Sequence, residues 1–411
     1  MSTVRLGDIC QFINGGAWTQ SEFSDSGYPV LKVSNCKPSG FVLDDVSYIP
    51  LDIAEKSEIN KLYIHDVIIA TVGSHPNLVD SAAGRSCIVT EEVCGYYLNQ
   101  NAVCLRTLDD NILNQRYLGF LTQYFPFQHY IQNKGKGAAN QMRIAISAIK
   151  DYAFELPEIS IQNRVANILS TYDDLIENNQ KQIKLLEEAA QRLYKEWFVD
   201  LRFPGYENTP IIDGVPQGWS WKSILKNDIF KFVSSRVLPF DGVKTYYATA
   251  DVTGTNIVSS GEKITFDNKP SRAAIQPVLC SVWFARMSNS YKILNCFGEN
   301  AWMAKSAILS SGFAGFSSKV EFYGFVYQTI ASEYFNEEKD RYATGATQVS
   351  LTNDGLAKIN VLIPSEHIVV QYSKLVEPIM YKTELLKNEN FKLKEARDRL
   401  LPKLMSGELE V

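Results

Sequence analysis

No C-x-x-C pair occurs among the seven cysteines, Cys10, Cys36, Cys87, Cys94, Cys104, Cys280 and Cys296. An odd number without paired spacing excludes a disulfide framework and a structural zinc site, and it predicts buried thiols in a reducing cytoplasm. No run of eighteen apolar residues occurs; "DVIIATVG" is about the longest, and it is the length of a strand. The N-terminus "MSTVRLGDICQFINGG" has no basic flank leading into an apolar core, so no secretory signal is expected. These absences predict a soluble protein that does not enter a membrane.

Catalytic signatures are missing as well. There is no G-x-x-x-x-G-K-[ST] phosphate loop, no G-x-G-x-x-G after a strand, no H-E-x-x-H, no G-x-S-x-G and no Asn/Asp-Pro-Pro-aromatic loop. "GKGAAN" (residues 135–140) is half a phosphate loop that follows a helix, which is the wrong context. The four histidines are scattered, and nothing in the sequence proposes catalysis. A large excess of positive charge is also missing. Basic and acidic residues number 12 and 16 over residues 1–155, 6 and 8 over 156–203, 15 and 14 over 204–363, and 8 and 8 over 364–411. Any surface for a polyanion must therefore be a local patch.

What is present is a folded chain with an internal repeat. Hydrophobic residues make up 45% and aromatics 12% of the 411 residues, a composition and length that predict two or more globular domains. "GAANQMRIAISAIKDYAFELPEISIQ" (137–162) aligns with "TGATQVSLTNDGLAKINVLIPSEHIVVQ" (344–371), so that Gln141 meets Gln348 and Pro157 meets Pro364 at an offset of 207. The same offset pairs Leu186 with Leu393, Ala189 with Ala396, Arg192 with Arg399 and Leu193 with Leu400. Each unit is a strand-rich region of about 150 residues, closed by one amphipathic helix (near 112–132 and 323–339) and followed by a long helix.

The first long helix carries Val165, Leu169, Tyr172, Ile176, Asn179, Ile183, Leu186, Ala190, Leu193 and Trp197 at alternating spacings of four and three. That is a heptad seam interrupted only by Asn179, with no Pro or Gly from Ser160 to Leu201. The second long helix keeps Ile379, Leu386, Leu393, Leu400 and Leu404 in register, with Asn390 at a seam position and Pro378 expected to kink it or delay its start. A narrow seam needs a partner. Each helix could lie on its own globule, but the Pro/Gly-rich "RFPGYENTPIIDGVPQG" delivers the chain from the first helix straight into the second globule. The second helix then buries its seam by running back along the first. The expected fold is α+β: two β-rich globules separated by a long antiparallel two-helix coiled coil, related by a pseudo-two-fold repeat. The expected segments are 1–157, 158–203, 204–364 and 365–411. Trp197 and Phe198 either close the coiled coil or dock a partner, and closure is favoured.

On these residues the chain resembles the DNA-specificity subunit of a type I restriction–modification system. "ELPEISIQNRVANILSTYDDLIENNQKQIKLLEEAAQRLYKEWF" is similar to that family's central spacer, and the closing "LLPKLMSGEL" to its distal one. "GAANQ" and "GATQ" sit where the family carries a Gly-x-x-Gln loop before each spacer; "LYIHDVIIATVG" and "PVLCSVWFARM" resemble strands of its target-recognition domains. The resemblance implies a non-catalytic subunit whose two globules read the halves of an asymmetric bipartite site on double-stranded DNA. The helices would set the gap and dock two modification (methyltransferase) subunits, with restriction (translocase/endonuclease) subunits recruited through them. It implies no cofactor in this chain, with S-adenosylmethionine and ATP/Mg held by the partner subunits. The rival classes are a fused nuclease or methyltransferase, which should show a catalytic motif, and an interaction scaffold that explains the repeat without DNA.

Candidate DNA-contacting residues fall in two places. "NKGKGAANQMR" brings together Lys134, Lys136 and Arg143, suited to phosphates, with Asn140 and Gln141, whose amides match adenine, and with Gly135 and Gly137, which let the backbone approach a polyanion. Because Gln recurs at Gln348, a structural role in the turn is favoured for Gln141. In the second globule the candidates are Lys269, Arg272, Arg286, Asn289, Lys292 and Lys319, although a solvated strand edge explains each of them as well.

Overall fold

A computed structural model describes every residue except 1, 38–39, 44, 75–82, 139–140, 235 and 347–348. The chain divides into two compact units, Met1–Leu175 with Leu393–Val411, and Ile176–Lys392.

In the first unit a four-stranded antiparallel sheet has the order Cys10–Asn14, Ala102–Thr107, Val67–Ala70, Ser86–Ile88. Val67–Ala70 does not alternate polar and apolar residues because both of its faces are covered. Val67 and Ile69 pack with Tyr117, Leu118 and Phe120 of the helix Gln115–Gln123. Ile68 faces a second cluster with Leu31, Cys87 and Cys104. A smaller sheet holds Tyr28–Leu31 between Tyr97–Leu98, which is parallel to it, and Ser47–Ile49, which is antiparallel. Ser2–Arg5 pairs with Ala153–Leu156, fastening the start of the chain to the strand that leads into the central helix.

The second unit repeats this plan. Its four-stranded antiparallel sheet runs Lys231–Phe232, Phe313–Ser317, Ser281–Ala285, Ile293–Cys296. Lys244–Tyr247 again has one parallel partner, Ala307–Ser310, and one antiparallel partner, Glu262–Ile264. Ser220–Ser223 pairs with Asn360–Ile363 as Ser2–Arg5 does with Ala153–Leu156. The repeat read from the sequence is thus a repeat of strand pairing.

Two details differ from expectation. Each closing helix is two helices, Gln115–Gln123 with Phe125–Lys134, and Tyr323–Ala331 with Glu333–Arg341. Tyr124 takes extended dihedrals one residue before a helix whose second position is Pro126, which has no N–H to continue the ladder. Ser332 breaks the other helix by capping the next, its hydroxyl accepting from the Phe335 N–H at 3.2 Å. Pro378 neither ends nor delays its helix, which runs from Glu366 to Ser406. It lies on the exposed face with Lys374, so the carbonyl it leaves unbonded reaches water.

The central helix is α-helical over Ile159–Tyr194 and finishes in a π-turn, Lys195–Val199. Among its seam positions Val165, Leu169, Ile176, Asn179, Ile183, Ala190 and Trp197 are buried, and Tyr172, Leu186 and Leu193 are half-buried. In the first unit Val165, Ala166 and Leu169 share a cluster with Leu404, against which Leu400 packs. Gln162, fully buried, accepts from the Asn114 N–H at 3.0 Å and donates to the Ile112 and Pro157 carbonyls. Those bonds fix the start of the central helix to the start of the helix Gln115–Gln123. Arg397 pairs with Asp173.

In the second unit the Tyr372 hydroxyl donates to the Ala190 carbonyl at 3.2 Å, and Lys387 pairs with Glu187 at 2.9 Å. Asn390 meets Asn179 at 3.0 Å, an order of partners that makes the two helices antiparallel there. Leu386 is buried, and Leu393, half-buried, belongs to the first unit. Trp197 and Phe198 pack against Tyr372, at 5.6 and 4.9 Å between ring centroids, inside the core of the second unit. They close the helix onto that core.

All seven cysteines are free; five are buried, while Cys94 is exposed and Cys280 half-buried. No helix among the described residues is long and apolar enough to cross a membrane.

The buried Asn179–Asn390 pair yields a stability prediction. Replacing Asn179 alone by Leu strands the Asn390 side-chain oxygen in an apolar seam and should cost about 1–3 kcal/mol. Replacing both by Leu should recover most of that loss, because neither polar group remains to be satisfied. Urea unfolding of the full chain checks this, and a double variant no more stable than the single would contradict it.

Candidate nucleic-acid interface

"KGAANQMR" forms an antiparallel hairpin. Lys136–Ala138 pairs with Gln141–Arg143, and the second strand also pairs with Val72–Gly73. The Ile144 N–H donates to the Thr71 carbonyl at 2.8 Å, so the hairpin extends the edge where the central strand of the sheet ends. Gly137 has φ +138°, a conformation that favours glycine. Gly135 serves packing: a Cβ there would lie 2.4 Å from the buried Met142 sulfur.

Lys136 lies directly opposite Arg143, and both are exposed. Opposed residues of an antiparallel pair project to the same face, so two cations confront one another on this hairpin, an arrangement that costs stability. The Lys134 ammonium stands 5.2 Å from the centre of the Tyr130 ring. The three cations picked from the sequence therefore sit on one hairpin and the helix end that precedes it. Gln141 is the first residue of the second strand. Asn140 and Gln348 lie outside the described residues.

The second unit has the same device with different chemistry. Ala343–Thr344 pairs with Ser350–Leu351, Gly345 has φ +139°, and Ser350 is bridged to Met287. The Leu351 N–H donates to the Arg286 carbonyl at 2.8 Å, as the Ile144 N–H does to Thr71. No charged residue stands in either of these strands.

The cations expected in this unit are mostly tied down. The Arg286 guanidinium donates to the Leu351 carbonyl (2.9 Å), Asn353 Oδ1 (2.9 Å) and the Phe313 carbonyl (3.3 Å), and burial lowers its pKa. Lys292 donates to the Thr249 carbonyl at 2.8 Å and Lys269 to the Ala273 carbonyl at 3.3 Å. These three side chains hold the fold together. Arg272 is exposed, and Lys319 is exposed beside the Phe322 ring (5.1 Å) with Glu321 at 3.9 Å. Asn289 is exposed at φ +54°.

One residue escaped the sequence reading altogether. Lys339 is fully buried and donates to the Ser290 carbonyl at 2.7 Å and the Met287 carbonyl at 3.2 Å. A signal existed: Phe335, Lys339 and Tyr342 follow one another at helical spacing, which places a lysine on an apolar face.

A family profile, "Type I restriction modification DNA specificity domain", matches residues 1–188. The type I restriction enzyme MjaIX specificity subunit of Methanocaldococcus jannaschii is 25% identical over 315 residues, covering 74% of this chain and 70% of that protein. A putative MjaX specificity subunit from the same organism is 21% identical over 421 residues, covering 99% and 93%. The crystal structure of a type I restriction–modification S subunit from M. genitalium is similar in fold, with a TM-score of 0.52 at 15% identity over 98% of this chain and 95% of that one.

The Lys136–Arg143 arrangement is tested by charge removal. Lys136→Gln should leave the folded chain as stable as before or stabilise it by up to about 1 kcal/mol, more at low salt, because like charges opposed across strands repel. Thermal unfolding at two ionic strengths measures this; a marked loss of stability would mean that the cations serve the hairpin itself.

Proposed function

We infer that this chain, which belongs to the DNA specificity subunits of type I restriction–modification systems, reads a two-part sequence on double-stranded DNA through two separate recognition units. The observation that carries this is the repeated device with altered chemistry. Both units end their central strand at a hairpin with glycine near φ +138°, yet the first hairpin is cationic and the second is not. One scaffold used twice with different surfaces suits an asymmetric target better than a palindrome.

In this reading Lys134, Lys136 and Arg143 contact phosphates and set position, while amide side chains at the hairpins and neighbouring turns read base edges. The net charge of −5 accords with it, since local cations suffice to position a reader while the remaining surface discourages non-specific binding. The paired helices set the length of unread DNA between the half-sites and dock two modification subunits, through which restriction subunits join. The chain performs no chemistry itself. S-adenosylmethionine, ATP and magnesium act on the partner subunits. A protein-interaction scaffold that ignores DNA is not favoured, because the specificity-domain profile covers the first recognition unit and its half of the central helix.

Exchanging residues 1–155 for those of a related specificity subunit should change one half of the methylated sequence and leave the other intact. Mapping methylated bases in DNA from a host expressing the chimera with its modification subunit gives the answer. Loss or alteration of both halves would mean that the units do not read independently.

A further inference from the structure

The turn at residues 286–290 of the second unit is held far more firmly than its position at the surface requires. The Asn289 N–H donates to Asp340 Oδ1 at 3.1 Å, and the Ser288 N–H to the Val349 carbonyl at 3.0 Å. From below, the Lys339 ammonium takes the Met287 and Ser290 carbonyls at 3.2 and 2.7 Å, with Asp340 Oδ1 3.4 Å away. Arg286 anchors the start of the turn through its three acceptors. Burying a lysine is costly even when its donors are satisfied, and an apolar residue would fill the same space. Something about this turn justifies the cost.

The restraint fixes the backbone that carries one exposed side chain. Asn289 sits at φ +54°, where non-glycine residues are uncommon, and the bonds to Asp340, Met287 and Ser290 hold its backbone on both sides. Its side chain is exposed, as is that of Met287. The turn adjoins the hairpin that corresponds to the cationic one of the first unit, since Met287 is bridged to Ser350. Lys339 and Asp340 neutralise one another, and the Arg286 guanidinium is spent on three acceptors within the fold. The turn offers a carboxamide, one acceptor and two donors in a plane, carried on a backbone that is held in place. In the major groove that pattern complements adenine, whose N6 amino group donates and whose N7 accepts.

We propose that Asn289 reads an adenine in the half-site bound by the second unit, and that Lys339 is the positioning residue that holds its turn. The proposal rests on the DNA-reading function inferred above and adds the residue and the base. A held backbone is what such a reader needs: it leaves the carboxamide only its two side-chain rotations, so it reaches fewer bases than it would from a mobile turn.

The test uses the full chain in complex with its modification subunit, acting on a randomised duplex library whose methylated bases are then mapped. Asn289→Gly keeps a residue at ease at positive φ and removes only the side chain. It should lower discrimination at one adenine position of the second half-site by about ten- to a hundredfold, leave the first half-site unchanged and leave the melting temperature close to that of the parent. Asn289→Asp, of the same shape but without N–H donors, should lose the preference for adenine at that same position. Lys339→Met should blur the second half-site, whereas a purely structural lysine would lower stability and leave the sequence preference as it was. An unchanged motif in the folded Asn289→Gly complex overturns the proposal and leaves the two-unit reading standing. A parent complex that methylates no defined two-part sequence overturns both.

Discussion

An apolar stripe repeating every three and a half residues has to be covered, and much else in this chain follows from how that is done. The central helix, Ile159–Tyr194, cannot cover its own stripe, and among the described residues the element of matching period is the helix Glu366–Ser406. Both helices enter both compact units. Val165 and Leu169 belong to the core of the first unit together with Leu404; Ala190, Trp197 and Phe198 belong to that of the second together with Tyr372 and Val376. Neither recognition unit has a core made only of its own strands.

The polar residues of the seam serve alignment. Asn179 and Asn390 satisfy each other inside an apolar stripe, and Asn390 reaches on to the Ile176 carbonyl at 3.4 Å. Such a pair forgoes the stability of two leucines and penalises any sliding of the helices, since a shift leaves both amides buried and unbonded. Lys387 acts in the same sense. Burial opposes its charge, but Glu384 and Glu187 outweigh burial and raise its pKa, and its ammonium also reaches the Thr255 hydroxyl at 2.9 Å. It thereby fastens both helices to a loop of the second recognition unit.

The helices were legible in the sequence because their burial pattern is local: ten positions at spacings of four and three announce a seam without knowledge of the partner. The strands were legible too, since "DVIIATVG" and "SVWFARM" are short apolar runs rich in β-branched and aromatic residues, as strands covered on both faces carry. Pro378 misled because its cost depends on exposure, which no local pattern reveals. Among the site residues, Arg286, Lys269 and Lys292 looked like surface cations, yet each is committed to a backbone carbonyl brought to it by the fold. Lys339 was passed over although its spacing marked it, because a lysine on an apolar face has meaning only once the carbonyls above it are known. The confrontation of Lys136 with Arg143 depends on strand register, which the glycines of "GKGAAN" permit but do not dictate.

The paired helices, proposed above to set the length of unread DNA between the half-sites, can be lengthened without breaking their period. Seven residues inserted between Gln180 and Lys181, with a matched insertion near Asn390, keep the stripe on one face and add about 10.5 Å of helix, or about three base pairs of B-DNA. Mapping of methylated sites with the modification subunit should return both half-sites unchanged with a wider unread gap. An active, folded double insertion whose gap is unaltered would contradict the account.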